Sequence, residues 1–123
     1  MNFWLLMFAA GVSAVGAFFH GVVGGRIYME NINNSNLEVR GKSLSLVSWH
    51  IFTIFLFVGA IAFALAGFAL MPRTALYPLI TINALGALMF VFFGLGKHRE
   101  LLKLPGAFLM GATAISGYFG STL

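Results

Sequence analysis

Two histidines, His20 and His50, are the residues of this sequence best suited to chemistry. Both lie in stretches that lack charged residues, and Trp49 precedes the second. If these stretches are consecutive helices, they run in opposite directions, so we expect the two imidazoles at similar depth. Such a pair could bind haem, form half of a transition-metal site or relay protons. Alternatively, each ring hydrogen-bonds a neighbouring carbonyl or hydroxyl group.

The remaining polar residues are weaker candidates for a functional site. Asn83 falls in the middle of the third apolar stretch, where an amide needs a hydrogen-bond partner. We expect an interhelical hydrogen bond there, and a place along a solute path is the alternative. His98 lies in the run Lys97-His98-Arg99, where we expect it to be solvated.

The sequence lacks most groups on which enzymes and proton-coupled transporters depend. It contains no cysteine and no aspartate, and its three glutamates lie between the apolar stretches, at Glu30, Glu38 and Glu100. Exchange of protons for a substrate within the membrane relies on a carboxylate in the spans. We therefore predict no catalytic residue, no metal centre and no enzyme activity.

The composition indicates that the chain is surrounded by lipid. The chain has 123 residues, of which 60% are hydrophobic and 8% are charged. A soluble domain of this size exposes too much surface to hide that apolar fraction. Four charge-free stretches each reach the roughly 20 residues that a helix needs to cross a bilayer. We predict an all-α, integral membrane four-helix bundle with up-down-up-down topology, a single domain over residues 1–123, with helices at about 3–24, 45–71, 76–96 and 105–122.

Local signals place the helix ends. Pro78 and Pro105 suit the first turns of the third and fourth helices. Ser43 or Ser45 could cap the second helix. A tight turn around Pro72 predicts that the second and third helices form an antiparallel hairpin. The polar residues 26–42 predict one long loop, in which a short interfacial helical turn could form near Ile27 to Met29.

The basic residues predict the orientation. Six of the seven lie in two loops, after the first and third helices, and one, Arg73, follows the second helix. Basic loops remain in the cytoplasm. We therefore expect a multi-pass protein of the bacterial inner (plasma) membrane with both termini outside. The net charge of +4 is spread between apolar spans, so nucleic-acid binding is not expected.

Small residues recur at every fourth position of the first helix, and small side chains let helices approach closely in lipid. They predict a packing face that meets either another helix of the chain or a partner subunit. The face comprises Ala9, Ser13, Ala17, Gly21 and Gly25.

These features favour a non-enzymatic accessory or structural subunit of a larger membrane complex. Its partners would be the lipid bilayer and either other membrane proteins or further copies of the chain. Fourteen phenylalanines supply the outward bulk for such contacts. Two alternatives stay open: a haem or metal protein that uses His20 and His50, and a small-solute carrier or channel lined by Asn83.

One stretch resembles a group of small four-helix bacterial membrane proteins. The likeness covers about residues 16–60 and depends on His20, Gly24-Gly25 and Ile27, then Leu37 and Arg40, then Trp49-His50 and Thr53. The sequence departs from the group's pattern after Ile27, where a proline is expected and none occurs. The resemblance implies the four-helix architecture and no particular activity.

Overall fold

Four helices account for most of the chain in the computed structural model, which describes residues 1–123. No strand forms, so the all-α prediction is confirmed. The first helix changes to π-helical geometry over Phe19–Gly24 and then returns to α-helix. Short 3₁₀ turns, Arg73–Leu76 and Arg99–Lys103, precede the last two helices. The helices are α1 (Phe3–Asn33), α2 (Val39–Gly67), α3 (Tyr77–Leu95) and α4 (Gly106–Thr122).

Three segments are long and apolar enough to cross a membrane: Phe3–Asn33, Val39–Gly67 and Arg73–Leu95. The remaining helix, α4, has 17 residues and a length of about 25 Å. That length is slightly below the roughly 30 Å of a bilayer's hydrocarbon core. Membrane-spanning length is thus found in three of the four predicted spans.

The long polar loop predicted over residues 26–42 is wrong. Both flanking helices continue into it, and only residues 34–38 connect them. Charged residues mark where a helix leaves hydrocarbon, and a helix can extend well past that point. The predicted serine caps are also wrong, because α2 already begins at Val39, and Ser43 Oγ donates to the Val39 carbonyl within the helix.

The end of α2 also differs from the prediction. The helix stops at Gly67, because Ala69 adopts a left-handed conformation with φ of 57°. The Leu70 N–H then donates to the Leu65 carbonyl at 2.8 Å, which closes the last turn. The predictions for the two prolines agree with the structure more closely than those for the serine caps. Pro78 lies in the first turn of α3, and Pro105 directly precedes α4.

The helices pack in the spatial order α2, α1, α4, α3. Helix α1 contacts α2 on one side and α4 on the other, and α4 also contacts α3. Although α2 and α3 are consecutive in sequence, they share few contacts, so the predicted hairpin is wrong. Small buried residues permit close approach on α1, α2 and α4, for example Ala9, Ala62 and Gly117. Large side chains such as Phe57, Leu88 and Phe108 point outwards.

The buried core lies at the end that carries the Arg73 turn. Phe63 of α2 is fully buried, and its ring lies against Gly117 of α4. Both chain termini lie at the same end, because the Asn2 N–H donates to the Gly120 carbonyl at 2.7 Å. The connections at residues 34–38 and 96–105 therefore lie at the opposite end, where six basic residues lie in the second connection or on the adjoining ends of α1 and α2.

Replacement of Phe63 by alanine tests this core. The change should lower the free energy of unfolding by about 3 kcal/mol, because the ring fills the space between three helices. Phe92→Ala is the matched control, because its ring is 75% exposed, and it should have little effect. Unfolding in mixed micelles, followed by circular dichroism, measures both. Equal losses for the two variants would contradict the described core.

Candidate functional site

An aromatic cluster joins α1 and α2 at the basic end of the molecule. The Trp49 indole is stacked between two rings: His20 at a centroid distance of 4.1 Å and Tyr28 at 4.2 Å. The edge of Phe52 meets the His20 ring at 5.1 Å. We call His20, Tyr28, Trp49, Phe52 and Thr53 the Trp49 cluster.

Two hydrogen bonds fix the cluster. Trp49 Nε1 donates to the main-chain carbonyl of His20 at 2.8 Å. His20 Nδ1 and Thr53 Oγ1 are hydrogen-bonded at 2.9 Å. Both bonds link α1 to α2, so they hold the helices in one register. On the imidazole they leave Nε2 as the nitrogen without a partner in the chain.

The π-helical turn of α1 coincides with this cluster. A π turn is rare, widens the helix and is frequent at functional sites. In lipid, main-chain groups at such an irregular turn need partners from neighbouring helices. The Trp49 indole supplies one of them at the carbonyl of His20, which lies inside the turn. The cluster thus stabilises a helix geometry that would otherwise be costly.

Three glycines of α1 let α2 come this close. A Cβ on Gly21 would lie 2.7 Å from the Thr53 methyl carbon, and one on Gly24 would lie 3.0 Å from the Trp49 ring. A Cβ on Gly25 would lie 3.4 Å from His50 Cε1. Contacts this short leave no room for a larger side chain at Gly21 or Gly24.

The predicted packing face of α1 lies largely against α2 of the same chain. Ser13 Oγ donates to the Leu56 carbonyl across the interface at 2.9 Å. Ala9 and Ala17 are buried as well, and Ala9 belongs to the core at the Arg73 end. The face therefore serves packing within the chain.

Both predicted ligand histidines lie where α1 meets α2: the His20 ring is stacked on Trp49, and His50 Cε1 lies against Gly25. A haem between the imidazoles would require a gap between α1 and α2. The contacts at Gly24 and Gly25 show that the helices touch at this level. No third histidine, aspartate or glutamate joins them to complete a metal site. Haem or metal binding remains a prediction, and the geometry disfavours haem.

Asn83 does not form the interhelical bond that its position predicted. Its Nδ2 donates to the Leu79 carbonyl of its own helix at 2.9 Å, and its buried Oδ1 has no partner. The side chain is 1% exposed, so it does not line an open path. His98 lies in the exposed loop, where its ring meets the edge of Phe93 at 6.0 Å.

The sequence analysis did not include Tyr28 in the site, because it assigned residues 26–42 to a loop with at most one helical turn near Ile27 to Met29. The sequence did contain a pattern that predicts a helix through Tyr28. Gly21, Gly25, Tyr28 and Ile32 follow one another at intervals of three and four residues, which continues the packing face of a helix.

Comparison with known proteins found no relative of this chain. No protein family model, curated protein or solved structure matches this chain. The fold and the site define an all-α chain with three helices long and apolar enough to span a membrane, in which His20, Trp49 and Thr53 join two helices.

Gly21→Ala tests the close approach of α1 and α2. The new methyl group would collide with Thr53, and Thr53 cannot rotate away without losing its bond to His20. We expect a loss of about 1–3 kcal/mol in the free energy of unfolding.

Gly11→Ala is the matched control on the same helix, since no atom lies within 4 Å of the position its Cβ would take. It should leave stability unchanged or raise it by up to about 1 kcal/mol. Chemical unfolding in mixed micelles compares the two. If Gly21→Ala proved as stable as Gly11→Ala, the described interface would be wrong.

Proposed function

We propose that the chain is an integral membrane protein whose four helices cross the bilayer as an up-down-up-down bundle. This proposal is supported by the apolar character of the outer surface. Only 24 of the 123 residues are buried, and large apolar side chains such as Ile54, Leu88 and Phe108 point outwards along the helices. Exposed apolar surface of this extent is stable in lipid and aggregates in water.

Helix α4 is the shortest span. Its 17 residues are flanked by the apolar residues Leu104 and Leu123, which extend the apolar length at both ends. A short span is accommodated by local thinning of the bilayer at a modest cost. Its antiparallel packing against α3 supports its place among the spanning helices.

The basic residues support the orientation. The loops at residues 34–38 and 96–105, together with the helix ends beside them, carry Arg26, Arg40, Lys42, Lys97, Arg99 and Lys103 at one end of the molecule. The opposite end holds Arg73 and both termini. The excess of basic residues favours the cytoplasm for the first end. In a bacterial inner membrane, both termini would then lie outside.

The proposed role is that of a non-enzymatic accessory or structural subunit of a larger membrane complex. The polar side chains within the spans are mostly engaged inside the chain: Ser13 and Trp49 bond to backbone carbonyls, and His20 bonds to Thr53. The outer surface is apolar. A protein of this kind acts through contacts with lipid and with other membrane proteins.

Cysteine labelling tests the topology. The chain has no cysteine of its own, so a single introduced cysteine reports one position. In intact cells, an impermeant maleimide should label Thr74→Cys and should leave Ser35→Cys unlabelled until the membrane is permeabilised. The reverse pattern would contradict the proposed orientation. Labelling of both in intact cells would contradict the proposed membrane insertion.

The size of the native particle tests the role. After mild detergent extraction, the 13.3 kDa chain should migrate in a larger complex with a second membrane protein in fixed stoichiometry. A single chain with no partner protein would overturn the proposed role while leaving the topology intact.

A further inference from the structure

The connection between α3 and α4 surrounds a cavity at the basic end of the molecule. The cavity has a volume of about 610 Å³ and opens to the surface. Two cations, an imidazole and a carboxylate line it, and Leu101 is the one hydrophobic residue of the lining. We call it the loop cavity, and its lining residues are Gly96, Lys97, His98, Arg99, Glu100 and Leu101.

Backbone hydrogen bonds and an apolar contact fix the shape of the loop cavity. The His98 N–H donates to the Phe93 carbonyl of α3 at 3.1 Å, and the Leu101 N–H donates to the His98 carbonyl at 3.0 Å. The Leu102 side chain lies against Gly94 of α3. A ligand therefore meets a backbone that is already ordered, which lowers the entropic cost of binding.

The loop cavity carries a net positive charge. Lys97 and Arg99 are exposed, and neither forms an ion pair within the chain. The carboxylate of Glu100 accepts a hydrogen bond from Lys103 Nζ at 2.8 Å. These three cations and one carboxylate give a net charge of +2. Because the carboxylate is already neutralised by Lys103, the two lining cations favour an anion.

The other basic residues at this end are more nearly balanced by acidic ones. Arg26, Arg40 and Lys42 lie on the adjoining ends of α1 and α2, together with Glu30 and Glu38. Three cations and two carboxylates give a net charge of +1. An anion is therefore attracted more strongly to the loop cavity than to the ends of α1 and α2.

On the proposed topology, the loop cavity lies at the level of the lipid headgroups. Helix α3 has 19 residues and a length of about 28 Å, which matches the roughly 30 Å of the hydrocarbon core. Gly96, the first lining residue, directly follows the last residue of α3. Exposed apolar side chains, Leu95 and Leu104, flank the lining segment on both sides. A ligand with both a negative headgroup and acyl chains suits this position.

We propose that the loop cavity binds the phosphate group of an anionic phospholipid. This inference rests on the proposed topology, which places the lipid in the cytoplasmic leaflet. Arg99 donates two parallel N–H bonds to phosphate oxygens, and Lys97 adds a compact positive charge. A zwitterionic lipid suits the cavity less well, because its headgroup cation would meet Lys97 and Arg99.

Lipid titration followed by NMR tests the inference. The ¹⁵N-labelled full chain, in bicelles of phosphatidylcholine, is titrated with phosphatidylglycerol. We expect saturable shifts of the amide signals of residues 96–101. Inorganic phosphate at the same concentration should leave these signals in place. If phosphate alone gave the same saturable shifts, the cavity would bind free phosphate, and the assignment to a lipid would be overturned.

Neutralisation of the two lining cations tests the site itself. Lys97→Gln combined with Arg99→Gln should weaken the binding of phosphatidylglycerol at least about tenfold. Arg26→Gln combined with Arg40→Gln is the matched control, because it removes the same charge from the same end of the molecule. The control should weaken binding less than about threefold. Equal losses in the two variants would indicate only a general attraction of this end to anionic lipid and would overturn the inference.

The carboxylate of the cavity gives a change in the opposite direction. Glu100→Gln should strengthen the binding of phosphatidylglycerol, because it removes a negative charge and leaves Lys103 free to meet the phosphate. A simple loss of loop structure would weaken binding instead. Weaker or unchanged binding in this variant would contradict the proposed site.

The cysteine labelling described above separates this inference from the proposed topology. If the labelling supports the topology but phosphatidylglycerol gives no saturable shifts, the loop cavity is not a lipid site and the topology stands. If the labelling pattern is reversed, the cytoplasmic orientation fails, whereas the titration in bicelles still tests the cavity. If both positions are labelled in intact cells, the membrane insertion fails, and the inference fails with it.

Discussion

The close approach of α1 and α2 at Gly21, Gly24 and Gly25 governs the placement of the polar groups at the basic end of the molecule. On the proposed membrane topology, lipid gives the helices no hydrophobic reason to associate, so contact must come from packing and from interhelical hydrogen bonds. The glycines provide the first, since even a methyl group at Gly21 would collide with Thr53. Trp49 and Thr53 provide the second through their bonds to His20. The π-helical turn, the aromatic stack and the register of the two helices therefore depend on one another.

The same constraint influences what the protein can do. Because the imidazole of His20 is held by Thr53 and covered by Trp49, the residue best suited to chemistry serves to join helices. The spatial order α2, α1, α4, α3 leaves α2 and α3 with broad unpartnered faces. The surface available for function is thus apolar and points away from the chain. The proposed role is contact through this surface with other membrane proteins. The Trp49 cluster is the clamp that holds α2 against α1.

Much of this fold was predictable from the sequence, because hydropathy and charge report directly on lipid. The four helices and the packing face of α1 follow from the spacing of charged and small residues. The extension of α1 to Asn33 does not follow from that spacing of charged and small residues. The polar residues of this segment resemble a loop unless the helical spacing from Gly25 to Tyr28 is taken into account. The π turn and the stack on Trp49 could not be predicted from the sequence, because both depend on which residue of α2 faces Gly24. The separation of α2 from α3 depends on competition between helix pairs, which no single stretch of sequence reveals.

The indole N–H signals of the two tryptophans test the clamp most directly. In a ¹⁵N-labelled sample in micelles, the chain gives one signal for Trp49 and one for Trp4, and Trp4→Phe assigns them. Trp4 is 78% exposed, whereas Trp49 Nε1 is bonded to the His20 carbonyl. The account predicts that the Trp49 indole proton exchanges with deuterium at least about tenfold more slowly than that of Trp4. Equal exchange rates for the two protons would contradict it.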